Sequence, residues 1–306
     1  MPVTPNLFIP GAMKAGTTQL AELLATHQDI FSGPIKEPNF YCRELHEAGI
    51  RRESKIDLRF NVDEFVKNGC QGSEHHAYVE SEEVYRALYT KHSGQKWVLD
   101  ASTTYLPSPV AARLIAEAVP NAKAIIIVRP AAERAWSEFQ MNQAIGITDS
   151  NYRAALEREN QLLRNGRPPL FERYVSAGLY TQQIDAFRNL LGHDSVLVLN
   201  FADLKDQLQL LASIADFLSI DPFDDDALKN SVNQNSARLP RHPLFNRFIA
   251  KTGIKPFVQR LVPAGIKPLL RRMTYTAGQR QMPEDFAAAF AEFTERHVQS
   301  SSRKSH

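Results

Sequence analysis

Apolar residues recur along the chain in two rhythms. Short unbroken runs at Leu7-Phe8-Ile9, Trp97-Val98-Leu99, Ala124-Ile125-Ile126-Ile127-Val128 and Val196-Leu197-Val198-Leu199 have the length and side chains of strands covered on both faces. Between them the apolar positions return every three or four residues, the period of a helix with one buried face. Leu20, Leu23 and Leu24 follow the first run. Val110, Leu114, Ile115 and Ala118 share a face within 107–119, and Leu179–Leu191 and Gln207–Leu218 are further helices. Tyr152 to Asn165 is rich in charge and reads as an exposed helix. Strands alternating with helices predict an α/β fold with a mostly parallel sheet flanked by helices. Pro10-Gly11 turns the chain out of the first strand, and Pro130 suits the first position of the helix after Arg129.

Composition bounds this picture without changing it. At 306 residues, 43% apolar and 23% charged, the chain is long enough for an ordinary core and is neither disordered nor membrane-embedded. Thirty-six basic against 34 acidic residues leave a net charge of +2, which excludes a globally basic nucleic-acid binder. Cys42 and Cys70 have no metal-ligand spacing and read as reduced thiols. With no signal-peptide pattern and no long apolar run, a cytoplasmic location is expected.

Residues 1–240 are expected to form the α/β domain, and 241–306 a helical extension. Within the extension, Leu244 to Met273 carries Arg247, Lys251, Lys255, Arg260, Lys267, Arg271 and Arg272 and no acidic residue. Such a stretch suits an electrostatic funnel for an anionic ligand or a peripheral contact with anionic lipid. The oligomeric state is not legible.

Gly11-Ala12-Met13-Lys14-Ala15-Gly16-Thr17-Thr18 lies between a predicted strand and a predicted helix. Glycines let such a loop turn tightly and aim backbone N–H groups inward, and the helix N-terminus adds partial positive charge, so the loop suits a phosphate. Gly11 and Gly16 have Walker spacing, but Thr17 stands where the Walker lysine belongs, and Lys14 lies inside the loop. A lysine there sits beside the first phosphate and whatever is attached to it.

The loop resembles the 5′-phosphosulfate loop of sulfotransferases that use 3′-phosphoadenosine 5′-phosphosulfate (PAPS). Val128-Arg129-Pro130 with Glu133-Arg134-Ala135-Trp136-Ser137 is similar to that family's 3′-phosphate motif, a strand ending in Arg with Ser eight residues later. Lys36-Glu37-Pro38-Asn39-Phe40-Tyr41 resembles the Lys-Glu-Pro-x-Phe-Phe segment of its carbohydrate-type and bacterial members. Gly178-Leu179-Tyr180, Phe201-Ala202-Asp203-Leu204 and Ile214 to Leu218 are weaker echoes, so the likeness runs over roughly residues 7–240.

The resemblance implies a P-loop-like parallel sheet and in-line transfer of a sulfuryl group from PAPS to a hydroxyl or amine of a small-molecule, carbohydrate or lipid acceptor, with no metal. Lys14 would stabilise the leaving group, while Ala15, Gly16, Thr17 and Thr18 hold the 5′-phosphate and Arg129 and Ser137 the 3′-phosphate, joined by Arg238 or Arg241. Glu37 is the implied general base and Asp100 the second candidate, with His27 and His46 more remote ones. Ala101 stands where some relatives carry a lysine, so no cation is expected from that position. Phe40 and Tyr41 would wall the acceptor site or pack against the first helix. Arg134 is expected to pair with Glu138 or Glu133 rather than to touch ligand. A P-loop kinase is the alternative, with Thr17 or Thr18 and Asp100 holding Mg²⁺. The missing Walker lysine and a central strand that ends in Arg instead of Asp count against it. A peripheral membrane-binding protein is the other alternative.

Overall fold

A computed structural model describes residues 3–45, 60–148, 150–166, 169, 171–224, 238–240, 275–277 and 281–302. The basic stretch 244–273, Arg241, His46 and most of the 232–238 loop lie outside them. The chain divides into two compact units. Segments up to Glu44, from Phe60 to Arg129 and from Leu179 to Asp224 form the first; Leu45, Pro130–Gly178 and the described residues from Arg238 onward belong to the second.

The first unit is built on five strands: β1 (Leu7–Phe8), β2 (Ile30–Ser32), β5 (Trp97–Asp100), β6 (Lys123–Val128) and β7 (Val196–Asn200). All pairings are parallel, in the order β2-β5-β1-β6-β7. β1 sits between β5 and β6, with Phe8 opposite both Asp100 and Ala124. The chain leaves β1 toward one side, then crosses it from β5 to β6. A reversal of that kind opens a crevice at the carboxyl ends of the strands, where open α/β sheets bind ligands. Ala124 to Ile127 are fully buried, as their unbroken apolar run requires. β7 is an edge strand, as β2 is on the other side, and its Leu197 and Val198 are only half-buried.

The helices of this unit are α1 (Thr17–Leu24), α2 (Val62–Lys67), α3 (Glu82–Ala87), α4 (Ala111–Ala118), α7 (Tyr180–Leu191) and α8 (Gln207–Leu218). α4 starts later than its apolar pattern suggested, because the Ser108 hydroxyl accepts from the N–H groups of Val110 and Ala111 at 3.3 and 3.0 Å. That capping interaction sets the first turn. The helix then buries Ala111, Ala112 and Ile115 and leaves Ala118 exposed. A separate parallel pair, β3 (Ile35–Glu37) and β4 (Glu74–His76), places Glu37 opposite His76.

The second unit contains α5 (Ala131–Ile145), α6 (Tyr152–Arg164), α9 (Glu284–Ser302) and the antiparallel pair β8 (Arg238–Pro240) and β9 (Tyr275–Ala277). Pro130 is the residue capping α5, with φ −46° and ψ 125°, one position before its expected place inside the helix. Trp136, Phe139, Leu156, Tyr174, Phe286, Phe290 and Phe293 form its core. α6 is not the exposed helix that its charge suggested. It buries Ala155, Leu156, Glu159 and Asn160. Glu159 accepts from the N–H groups of Val175 and Ser176 at 2.8 and 2.9 Å and from the Ser176 hydroxyl at 2.7 Å.

Arg134 and Glu138 pair at 2.7 Å as their spacing predicted, but both are fully buried. Arg134 also donates to the carbonyls of Arg173 and Tyr174, and Glu138 accepts from the Arg173 N–H. Removing one partner would leave an uncompensated buried charge, at a cost of about 3–5 kcal/mol.

Candidate functional site

The phosphate loop leaves β1 and is tied down on both sides. The Ala12 N–H donates to the Ile127 carbonyl, the Ile127 N–H to the Gly11 carbonyl and the Leu106 N–H to the Pro10 carbonyl. Lys14 has φ 68° and Gly16 φ 88°, left-handed conformations that turn successive N–H groups to one side of the chain. Gly16 precedes α1 and no side chain caps that helix, so no side-chain oxygen competes for its first-turn N–H groups. Ala15 and Thr17 are buried; Lys14, Gly16 and Thr18 are half-buried. A Cβ at Gly16 would lie 2.4 Å from Leu204 Cδ1 and 3.2 Å from Phe201 Cδ2. The short turn Phe201–Lys205, after β7, thus packs directly on the loop.

Phe201 serves a second residue. The Arg129 guanidinium lies 4.7 Å from its ring centroid, a cation–π contact that holds the fork at the end of β6. Ser137 is half-buried on α5, which belongs to the other unit. Of Arg238 only the backbone, in β8, is described.

Glu37 ends β3 and is 8% exposed. Lys36 Nζ donates to its Oε1 at 2.8 Å and Thr103 Oγ1 to its Oε2 at 3.1 Å. His76 Nδ1 stands 3.5 Å from Oε2 and His75 Nε2 3.9 Å from Oε1. Burial by itself would raise this carboxyl. The Lys36 charge and the His76 hydrogen bond and charge outweigh that and hold it down at about 2. Glu37 is therefore a buried carboxylate that stays ionised across the neutral range.

Lys36 Nζ also donates to the Ala101 carbonyl at 3.3 Å. Lys36 thus ties β3 to the chain just beyond β5. Thr103 joins Glu37 to the phosphate loop, because its carbonyl would lie 3.1 Å from a Cβ on Gly11.

Asp100 ends β5 and is 1% exposed. Tyr85 and Tyr105 donate to its Oδ2 at 2.7 Å each, and Ser102 to its Oδ1 at 2.6 Å. Burial raises this carboxyl to about 6, against the lowering pull of these hydrogen bonds. Both oxygens are engaged by buried hydroxyls within the core.

Phe40 stacks on Tyr85 with centroids 4.3 Å apart, and Tyr41 meets Phe8, Tyr85 and Tyr105 edge-on. These two aromatics pack against the tyrosines that bond Asp100. His27 is buried beside Phe223 and bonds the Asp221 carbonyl, an occupied structural position. Among the described residues no group of three or more His, Cys, Asp or Glu side chains could hold a metal ion, and no helix is long and apolar enough to cross a membrane.

His75, His76 and Thr103 around Glu37 carried no signal in the sequence, and Lys36 and Phe201 stood there only as members of the segments 36–41 and 201–204. Apart from Lys36, each meets its partner across tens of residues, and only the spacing of local motifs can be read from one chain.

Comparison with known proteins gives this geometry its family. Among solved structures, a sulfotransferase from Alicyclobacillus acidocaldarius is similar, with a TM-score of 0.60 and 25% identity over 74% of this chain and 89% of that one. The bifunctional heparan sulfate N-deacetylase/N-sulfotransferase 1 of Caenorhabditis briggsae is 24% identical over 236 residues, and that of Caenorhabditis elegans 26% over 228. Each match takes in 72% of this chain but only 23% and 22% of the respective relative. The model described as "Sulfotransferase family" matches residues 5–225, which include the loop, Glu37, Arg129 and Ser137, and the chain belongs to that family.

Proposed function

We propose that this enzyme transfers a sulfuryl group from PAPS to a hydroxyl or amine of a small-molecule, carbohydrate or lipid acceptor. The observation that carries the proposal is an ionised, buried carboxylate joined to the phosphate loop through a single residue, Thr103. PAPS supplies the sulfuryl group and its leaving group, adenosine 3′,5′-bisphosphate.

The chain's own residues supply the rest. Gly16, Thr17 and Thr18 hold the 5′-phosphate through first-turn N–H groups and hydroxyls, and Ala15 gives the loop its buried floor. Lys14 faces the bridging oxygen, where charge grows as the sulfur–oxygen bond breaks. A cation fixed there lowers the transition state more than the ground state. Arg129 meets the 3′-phosphate with its planar fork, with Ser137 as a hydroxyl donor and Arg238 as a further cation. Glu37 takes the proton of the acceptor as the new bond to sulfur forms. Asp100 acts through the fold, by fixing the ends of β5 and of the 37–41 segment. The proposed mechanism has no metal-dependent step.

The test is turnover of radiolabelled PAPS in EDTA across a panel of amine-bearing glucosamine oligosaccharides, simple alcohols and phenols, and hydroxyl-bearing lipids. The heparan-directed names of the relatives put the glucosamine amine first in that panel. Transfer in EDTA, lost in Lys14→Ala, is expected. ATP turnover that requires Mg²⁺, with none from PAPS, would overturn the proposal.

A further inference from the structure

We infer that His76 is a positioning residue for Glu37, with Nδ1–H donating to Oε2 and aiming the carboxylate at the acceptor. The inference rests on the reading of Glu37 as the general base and goes beyond it, because nothing in the phosphate-site motifs points to β4.

The backbone brings His76 to Glu37 and holds it there. In the parallel pair the two residues are opposite each other, and the Ala77 N–H donates to the Glu37 carbonyl at 2.9 Å. Asn39, fully buried with φ 54°, locks the pair. Its Nδ2 reaches the carbonyls of Glu37 and Ala77 at 2.8 Å each. An amide nitrogen has two hydrogens, and both are committed to those carbonyls. The third neighbour of that nitrogen, His76 Nδ1 at 3.3 Å, therefore receives no hydrogen from it. Facing Oε2 at 3.5 Å, Nδ1 is satisfied by carrying its own hydrogen toward the carboxylate.

The other groups around the imidazole agree with that polarity. Lys36 holds Oε1 from β3, His75 lies beside it on β4, and the Tyr78 ring meets it edge-on with centroids 4.6 Å apart. Among these described groups Glu37 carries the negative charge. Lys36 and Thr103 leave the carboxylate held at one point on each oxygen, and His76 adds a second contact on Oε2 that fixes its plane. A long hydrogen bond in an unliganded site commonly tightens when substrate binds.

Two measurements test this. The first needs no acceptor: ¹⁵N spectra of the His76 ring above its titration, in protein saturated with adenosine 3′,5′-bisphosphate. Nδ1–H is expected as the dominant tautomer; a bare Nδ1 overturns the inference. The second compares His76→Asn, whose amide N–H can replace Nδ1–H, with His76→Leu. With PAPS and the best acceptor of the panel, the Leu variant should lose about ten- to a hundredfold in kcat. The Asn variant should stay within about threefold of the parent, and the KM for PAPS should be unchanged in both. Equal kcat in the two variants overturns the inference. Should the Leu variant fail to fold, the tautomer measurement decides by itself. Glu37→Gln separates the layers: retained turnover there removes the base reading, whereas an inactive Glu37→Gln beside a fully active His76→Leu removes only His76.

Discussion

Two buried carboxylates, one at the end of β3 and one at the end of β5, have been sent in opposite directions by their neighbours. Glu37 is held at about 2 and Asp100 raised to about 6, although both are almost wholly out of water. Burial pushes each of them up. Glu37 is met by the Lys36 ammonium and an imidazole, whose charge and hydrogen bonds favour the ionised form. Asp100 is met by three neutral hydroxyls, which hydrogen-bond a carboxylate but bring no charge to balance it. Degree of burial thus says little about what a carboxyl can do, and the charge of its donors decides. The first is a carboxylate that stays ionised; the second is a knot that ties α3, β5 and the 102–105 turn.

The largest effect expected from this contrast is on turnover. Glu37→Gln should lower kcat by about 10²- to 10⁴-fold while affinity for adenosine 3′,5′-bisphosphate, measured by calorimetry, stays within a few fold. An equal loss in Asp100→Asn with the fold intact would erase the distinction between the two sites.

Stability against pH separates them next. Asp100 has a folded value above its ordinary 3.8. Between about pH 4 and 6 the unfolded chain has released a proton that the native state keeps, so stability falls as pH rises through that window, by roughly 3 kcal/mol. Asp100→Asn should flatten this slope in urea titrations. Glu159, raised to about 7 by burial against its backbone and hydroxyl donors, would account for what remains. Glu37 has the reverse sign: its stabilisation is present above about 4.5 and lost as pH falls toward 2.

A smaller effect tests the knot. Tyr105 donates to Asp100 and accepts from the Phe40 N–H at 2.9 Å. Tyr105→Phe should cost about 1–3 kcal/mol of unfolding free energy by leaving buried groups unpaired, with kcat per folded molecule unchanged. The smallest is Lys36→Met. Turnover at pH 7 should fall less than in Glu37→Gln, and the acid limb of the pH–rate profile should move upward, because a cation that holds Glu37 down is gone. An unmoved limb would mean that the limb does not report Glu37.

The sequence separation of interacting groups explains what could be read in advance. Local spacing was enough for the parallel α/β class, for the strand–loop–helix around Lys14 and for the Arg134–Glu138 pair, because each depends on residues within one or two turns of one another. The same logic misjudged α6, where Glu159 looks solvated until its partners Val175 and Ser176, in a later loop, come into view. It left Phe40 and Tyr41 either to an acceptor wall or to packing on the first helix, and could not show the rings of Tyr85 and Tyr105 that meet them.

From its sequence alone this protein has its alternating strands and helices and its loop with a lysine inside it, consequences of periodicity and of short-range spacing that a chain carries wherever it folds. Resemblance to a family, not spacing, made Glu37 and Asp100 candidates for one role. Only the tertiary structure decided which carboxylate stays ionised, that Lys36 bonds both Glu37 and the Ala101 carbonyl, and that His76 faces Glu37. Each of those depends on the sign and distance of groups brought together by strand register, and electrostatic energy in a buried site changes with every ångström of that approach.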